Sequence, residues 1–211
     1  MRINLVVTDV GMPKLSGTDL YKAARAAGIT IPFLFMSAYP PRELRETRQL
    51  DPMLPILYKT WTMVEFAIRV REALDQSVAR AALHGRTVLL VDDDTQTRAV
   101  LFARLKAAGC TILEAAETET ALRLFREERP DIVLTDLVLP GRAGASFIEV
   151  IRREAPEQPV VAISGSLVAD RDVRLEEARR LGATCALPKP FTTTQLMEAC
   201  QAALVERIKG G

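Results

Sequence analysis

The sequence has no excess of either charge, few aromatic residues and no long hydrophobic run. Its 28 basic and 27 acidic side chains leave a net charge of +1, which carries no electrostatic footprint for nucleic acid or an anionic membrane. No apolar run approaches the roughly 18 residues of a membrane span. The carboxylate of Asp9 comes too early for a signal peptide. We therefore expect a soluble, cytoplasmic protein that binds neither nucleic acid nor a membrane.

Cysteine is also scarce, and its pattern excludes a disulfide scaffold. The three cysteines, Cys110, Cys185 and Cys200, are odd in number and form no C-x-x-C pair, as expected in a reducing compartment. Apolar residues make up 48% of the chain and charged residues 26%, the balance of an ordinary globular protein. A length of 211 residues fits one large domain or two modest ones.

An internal repeat organises the chain. Residues 5–20 read LVVTDVGMPKLSGTDL, and residues 132–147 read IVLTDLVLPGRAGASF. The identical pairs are Val6/Val133, Thr8/Thr135, Asp9/Asp136, Pro13/Pro140 and Gly17/Gly144. Further along, Ser37 aligns with Ser164 and Lys59 with Lys189. The sequence therefore predicts a tandem repeat of one unit.

The two copies differ in length, since far fewer residues precede Asp9 than precede Asp136. We expect a partial domain over 1–75 that starts at the third strand of the repeated unit. A helical linker over 76–85 and a complete domain over 86–208 should follow.

The second copy alternates short apolar runs with amphipathic segments, which predicts an α/β fold with a doubly wound parallel sheet. The predicted strands are 88–91, 111–115, 132–135, 160–164 and 184–187. The predicted helices are 95–108, 118–128, 145–154, 171–180 and one that starts near 194.

Chemistry-bearing side chains fall where these strands end, at Asp92, Asp93, Asp136, Ser164 and Lys189. The carboxyl ends of parallel strands line one crevice, where such folds bind their ligands. Converging carboxylates repel one another unless a cation lies among them, and oxygen ligands favour Mg²⁺. A carboxylate can also accept a phosphoryl group as an aspartyl phosphate.

At these residues the second copy resembles a response-regulator receiver domain, in the segments LLVDDD, IVLTDLVLP, AISG and LPKPF. The resemblance implies a flavodoxin-like five-stranded sheet of order 2-1-3-4-5. It makes Asp136 the phosphoacceptor, Lys189 its partner and Ser164 a switch hydroxyl. It also implies a cis Lys189–Pro190 peptide. The Mg²⁺ ligands that it implies are Asp92, Asp93, Asp136 and the carbonyl of Val138.

Two departures from that pattern affect the expected function. Ala186 occupies a position where the family often has an aromatic switch residue. The first copy has Asp9, Ser37 and Lys59 as degenerate equivalents of the site but lacks the acidic pair, so we expect it to bind no Mg²⁺. Because Thr60 replaces the proline after Lys59, we expect a trans peptide there.

The resemblance implies a phosphoacceptor switch of a two-component phosphorelay, which is not a turnover enzyme. Its expected partner is a sensor histidine kinase or a histidine phosphotransfer protein, and a homodimer through the last helices is compatible with it. The alternative is a docking or dimerisation scaffold that works without phosphorylation. A phosphatase or flavodoxin is disfavoured because residues 92–98, DDDTQTR, contain no glycine-rich phosphate loop.

Overall fold

The computed structural model describes residues 3–38, 54–139, 144–165, 173 and 176–210, with backbone alone at 144–146 and 207–210. The chain divides into two compact units, Met1–Val78 and Ala79–Gly211. Among the helices that are described, none is long and apolar enough to cross a membrane.

The first unit is a small parallel α/β unit. Its described elements are β1 (Val6–Asp9), α1 (Gly17–Ala26), β2 (Phe33–Ser37), β3 (Ile56–Tyr58) and α2 (Met63–Leu83), the last of which continues beyond Val78. The described strands form a three-stranded sheet of order β1-β2-β3, and both strand pairs are parallel. Helix α2 covers the last helix expected for the first copy and most of the expected linker.

Each face of this sheet has its own apolar cluster. On one face Tyr21 lies edge-on to Phe33 and Phe35, with ring centroids 5.3 and 5.8 Å apart. Leu34 and Leu57 form a second cluster with residues of α2. Burial on both faces explains why β2 is a continuous apolar run rather than an alternating one.

The second unit is a complete doubly wound domain. Its described elements are β4 (Thr87–Val91), α3 (Thr95–Ala107), β5 (Thr111–Ala115), α4 (Thr118–Glu128), β6 (Ile132–Asp136), α5 (Gly144–Glu154), β7 (Val160–Ser164), β8 (Cys185–Pro188) and α6 (Thr193–Gly210). The strands form one parallel sheet of order β5-β4-β6-β7-β8. This is the predicted 2-1-3-4-5 order, which is confirmed.

The central strands are buried on both faces, as is typical of a parallel sheet. Every residue of β6 and β7 is buried, because two separate apolar clusters cover the two faces of the sheet.

Asp94 caps α3 by accepting a 2.6 Å hydrogen bond from the Thr97 amide. The helix expected over 171–180 lies partly outside the described residues, and 176–180 is helical.

Arg152 of α5 joins the segments that precede β7 and β8, at the amino ends of those strands. Its guanidinium donates to the carbonyls of Gly182, Pro156 and Gln158, at 2.6, 2.9 and 2.5 Å. It also donates to Oγ1 of Thr184 at 3.1 Å. One side chain thus satisfies three backbone acceptors that lie outside the sheet ladder.

We predict that Arg152→Met lowers the free energy of unfolding by about 2–3 kcal/mol, because it leaves those carbonyls without a charged donor. Arg153→Met is the matched control: Arg153 is the adjacent exposed arginine, and its change should stay within about 0.5 kcal/mol. Urea denaturation of both variants measures the difference. Equal losses in the two variants would show that the Arg152 hydrogen bonds do not stabilise the fold.

Candidate functional site

Four neighbouring strands of the second unit bring polar side chains to one edge of its sheet. Asp92 follows β4, Asp136 ends β6, Ser164 ends β7, and Lys189 follows β8. Because all these strands are parallel, their carboxyl ends share that edge. The topology therefore assembles residues that are distant in sequence, as the strand-end pattern predicts.

Lys189 lies between two buried carboxylates. Its Nζ donates to Oδ2 of Asp136 at 2.6 Å and to Oδ2 of Asp92 at 3.0 Å. Asp92 is 1% exposed and Asp136 is 7% exposed. Burial of two like charges is unfavourable without a counter-charge, so the ammonium group is what allows both carboxylates to occupy this edge.

The electrostatics of the cluster follow from its burial. Burial raises the pKa of Asp92, Lys189 opposes that rise, and the charge of Asp136 adds to it. Burial lowers the pKa of Lys189, but the hydrogen bond and charge of Asp136, followed by those of Asp92, outweigh it and raise the pKa overall. Lys189 is therefore a firmly protonated cation at neutral pH.

Backbone contacts fix the orientation of Asp136. Its Oδ1 accepts a hydrogen bond from the Val138 amide at 2.7 Å, while Oδ2 contacts Lys189. The buried hydroxyl of Thr135 donates to the carbonyl oxygen of Asp136 at 3.0 Å. Both oxygens of the carboxylate are therefore held, and the carboxylate faces the crevice with Lys189.

Ser164 carries a polar atom without a partner. Its side chain is fully buried, and among the described residues its Oγ has no hydrogen-bond partner. Its carbonyl accepts the Lys189 amide at 2.7 Å. The Lys189–Pro190 peptide is cis, as predicted. An orphaned hydroxyl next to the lysine is a donor available to a bound oxyanion.

The expected acidic cluster is assembled only in part. Lys189 joins Asp92 to Asp136, whereas Asp93 is exposed. In the described part of the chain, no group of three or more His, Cys, Asp or Glu side chains is arranged to hold a metal ion. The donor set nevertheless fits Mg²⁺ in kind, because it consists of carboxylate oxygens and the Val138 carbonyl, with no softer ligand.

Arg98 is a site residue that the sequence reasoning missed. It lies in α3, and its Nη1 donates to the carbonyl oxygen of Asp92 at 2.8 Å. Thr135 was visible as an identity with Thr8 in the repeat, but its hydrogen bond to the next carbonyl was not predicted. An arginine one turn into a helix that follows an acidic pair is a weak signal by itself.

The first unit repeats part of this geometry. Lys59 Nζ lies 2.5 Å from Oδ2 of Asp9, and the Gly11 amide donates to Oδ1 of Asp9 at 2.9 Å. The Lys59 amide donates to the carbonyl of Ser37 at 2.7 Å, the same distance as from the Lys189 amide to the carbonyl of Ser164. The pair is more open, with side chains 28% and 45% exposed for Asp9 and Lys59, against 9% and 24% for Asp136 and Lys189.

One expectation about this first site is wrong. The Lys59–Thr60 peptide is cis, although the absence of proline favours trans. The chain enters this turn with the same backbone hydrogen bond as the turn at Lys189.

Comparison with known proteins identifies the class of the second unit. The sequence model of the response regulator receiver domain matches residues 88–201, which is more than half of the chain. A receiver domain from Clostridium thermocellum superposes with a TM-score of 0.55 and 26% identity, covering 60% of this chain and 99% of that one. The chain therefore belongs to the response-regulator receiver family. The family model matches one segment, so it does not show the tandem expected from the repeat.

The curated relatives are regulators of transcription by name. The alkaline phosphatase synthesis transcriptional regulatory protein SphR of Synechococcus elongatus is 34% identical over 137 residues, covering 60% of this chain and 52% of the relative. The phosphate regulon transcriptional regulatory protein PhoB of Pseudomonas aeruginosa is 28% identical over 120 residues, covering 57% and 52%. The chain spans about half the length of these relatives.

These relatives correct the expectation that nucleic acid is not a partner. That expectation rested on a net charge near zero, which is an average over the residues present. Net charge bears on solubility and on non-specific binding to nucleic acid, and it does not identify the process in which a protein works. Because the relatives are transcriptional regulators by name, exclusion of nucleic acid was wrong.

We predict that Asp92→Asn raises the free energy of unfolding at neutral pH. Because the folded pKa of Asp92 lies above its ordinary value of 3.8, the folded state holds its proton more tightly than the unfolded state does. The charged form therefore destabilises the fold above that folded pKa, and the gain from asparagine should shrink as pH falls toward 3.8.

Asp94→Asn is the control with the opposite sign. Hydrogen bonds from Thr97 lower the pKa of Asp94, so loss of its charge should destabilise the protein at neutral pH and have less effect in acid. Denaturant melts at several pH values test both variants. If Asp92→Asn destabilises the protein at neutral pH, the burial penalty is not the dominant effect at Asp92.

Proposed function

We propose that the second unit is the phosphoacceptor switch of a two-component signalling protein, with Asp136 as the acceptor. The observation that supports it most directly is the Asp136–Lys189 pair at 2.6 Å, next to a buried Ser164 hydroxyl without a partner in the described residues. A nucleophile, a cation and a free hydrogen-bond donor thus share one sheet edge.

The transfer uses the carboxylate as the nucleophile. An oxygen of Asp136 attacks phosphorus and forms a P–O bond, while the bond between phosphorus and the donor breaks. The electron pair of that bond leaves with the remainder of the donor, which is acetate when acetyl phosphate is the donor. The product is an aspartyl phosphate, and no oxidation or reduction takes place.

Lys189 and Ser164 act on the phosphoryl group. Because the pKa of Lys189 is raised, its ammonium group stays charged and can contact the phosphoryl oxygens that add negative charge to the edge. The Ser164 hydroxyl gains its missing acceptor by donating to one of those oxygens. This hydrogen bond would draw the end of β7 toward the phosphoryl group. That local change would alter a partner-binding surface on phosphorylation.

Mg²⁺ is the cofactor proposed for this edge. Asp92, Asp93, Asp136 and the carbonyl of Val138 would hold it, and when bound it would offset charge on the phosphoryl group. Asp92 and Asp136 are already close enough to share one cation, Lys189 Nζ. The unit would assist its own phosphorylation and dephosphorylation without being a turnover enzyme.

We also propose that the first unit is a partial receiver with degenerate site residues, which does not accept phosphate. Its parallel sheet and the contacts of Asp9, Lys59 and Ser37 match those of the second unit, which supports the tandem. Among the described residues, Lys59 pairs with Asp9, whereas Lys189 joins two carboxylates, and this difference is why we expect no phosphate on the first unit.

The output proposed for the signal is transcription. SphR and PhoB are transcriptional regulatory proteins by name, and they match 60% and 57% of this chain. The component that acts on the gene would then bind a surface of this unit that changes on phosphorylation.

We predict that acetyl phosphate with Mg²⁺ adds one phosphoryl group to the chain, measured by intact mass. Asp136→Asn should abolish the adduct because it removes the nucleophile, whereas Asp9→Asn should leave it unchanged. Lys59→Met and Lys189→Met form a second matched pair, of which only Lys189→Met should reduce the adduct.

Other outcomes have defined meanings. An adduct that persists in Asp136→Asn contradicts the proposed acceptor, and two adducts on the wild type contradict the inactive first unit. No adduct, with Mg²⁺ shown not to bind, would favour the scaffold that works without phosphorylation.

A further inference from the structure

Arg98 connects three elements around the acidic loop of the second unit. It projects from α3, donates from Nη1 to the carbonyl oxygen of Asp92 at 2.8 Å, and places Nε 3.6 Å from Oε1 of Glu114 on β5. Its side chain is 19% exposed. This partly buried side chain therefore links the carbonyl of Asp92 to the carboxylate of Glu114.

The Asp92 carbonyl belongs to the peptide group that links Asp92 to Asp93. On its other side, the Asp92 amide donates to the carbonyl of Ala115 at 3.2 Å, so residue 92 still follows the sheet ladder. The Asp92 side chain is held by Lys189 and by the Asp94 amide at 2.9 Å. Arg98 thus fixes the peptide plane through which the chain passes from Asp92 to Asp93.

Asp93 depends on that plane for its direction. Its side chain is exposed, and none of the described residues forms a hydrogen bond or ion pair with its carboxylate. Orientation of its Cα–Cβ bond therefore comes from the backbone on either side. Asp94 anchors the following turn as the cap of α3, and Arg98 anchors the preceding carbonyl.

The geometry points to Arg98 as a positioning residue that orients the Asp92–Asp93 peptide for divalent cation binding, with Glu114 as its charge partner. This inference rests on the proposed function, since it concerns the same cation. Glu114 matters because an unpaired guanidinium would repel Mg²⁺. Pairing with Glu114 offsets the charge of Arg98, while Arg98 keeps its hydrogen bond to the Asp92 carbonyl.

Charge and orientation predict opposite results for Arg98→Gln. If Arg98 acted only through its charge, removal of a cation near the acidic loop would tighten Mg²⁺ binding. If it acts by positioning, the same variant should weaken binding by about tenfold, the lower end of the effect of losing an outer-shell contact at a metal site. The sign of the change therefore separates the two roles.

The experiment is a titration of the full 211-residue chain with MgCl₂, followed by the amide resonances of residues 91–98 in ¹H–¹⁵N spectra. Arg98→Gln should weaken binding, and Arg98→Lys, which retains the charge and one donor, should lie between it and the wild type. Glu114→Gln should weaken binding to a smaller extent, and the effect should diminish at high salt. Arg123→Gln, which removes an equal charge from an exposed pair with Glu127, should change nothing.

Tighter or unchanged binding in Arg98→Gln contradicts the positioning role while leaving the proposed function intact. A wild-type chain without a saturable shift contradicts the magnesium part of the proposed function and this inference with it. If Arg98→Gln fails to fold by circular dichroism, Arg98→Lys decides, since wild-type affinity in that variant rejects a role for the guanidinium geometry.

Discussion

The bridge that Lys189 makes between Asp92 and Asp136 is the interaction on which the site depends. Two carboxylates that are almost fully buried could not stay ionised at one sheet edge without a cation between them. The bridge also ties β8 to β4 and β6, which are not consecutive along the chain. It therefore sets the charge of the site, on strand ends that the parallel ladders bring together.

The two units show which parts of this arrangement are local and which require the whole sheet. The carboxylate–lysine pair and the backbone bond between the lysine amide and the serine carbonyl occur in both units. In both units the strands that carry these residues are parallel neighbours. In the second unit Asp92, which follows β4, contacts the same lysine, and that lysine is the more buried of the two.

Much of this fold could be predicted because local sequence patterns determine it. Continuous apolar runs such as 160–164 mark strands buried on both faces, and alternation with helices requires a parallel sheet. Polar residues directly after those runs then have to share one edge. The pattern alone predicts that Asp92, Asp136, Ser164 and Lys189 lie at one edge, and the strand order of the structure brings them there.

Other features depend on tertiary contacts that no local pattern encodes. That Lys189 contacts both carboxylates, while Asp93 stays outside, follows from side-chain directions in the folded sheet. Arg98 was missed because its acceptor is a backbone carbonyl, which sequence does not display. Nucleic acid was wrongly excluded because net charge describes a surface and carries little information about the system in which a domain works.

The most direct test of the account is a crystal structure of the chain with Mg²⁺ and beryllofluoride, a phosphoryl mimic. The account predicts beryllium bonded to a carboxylate oxygen of Asp136, with Lys189 Nζ and Ser164 Oγ each in hydrogen-bond contact with fluoride. A Ser164 hydroxyl that still lacks a partner, or a mimic bound at Asp9 and not at Asp136, would contradict it.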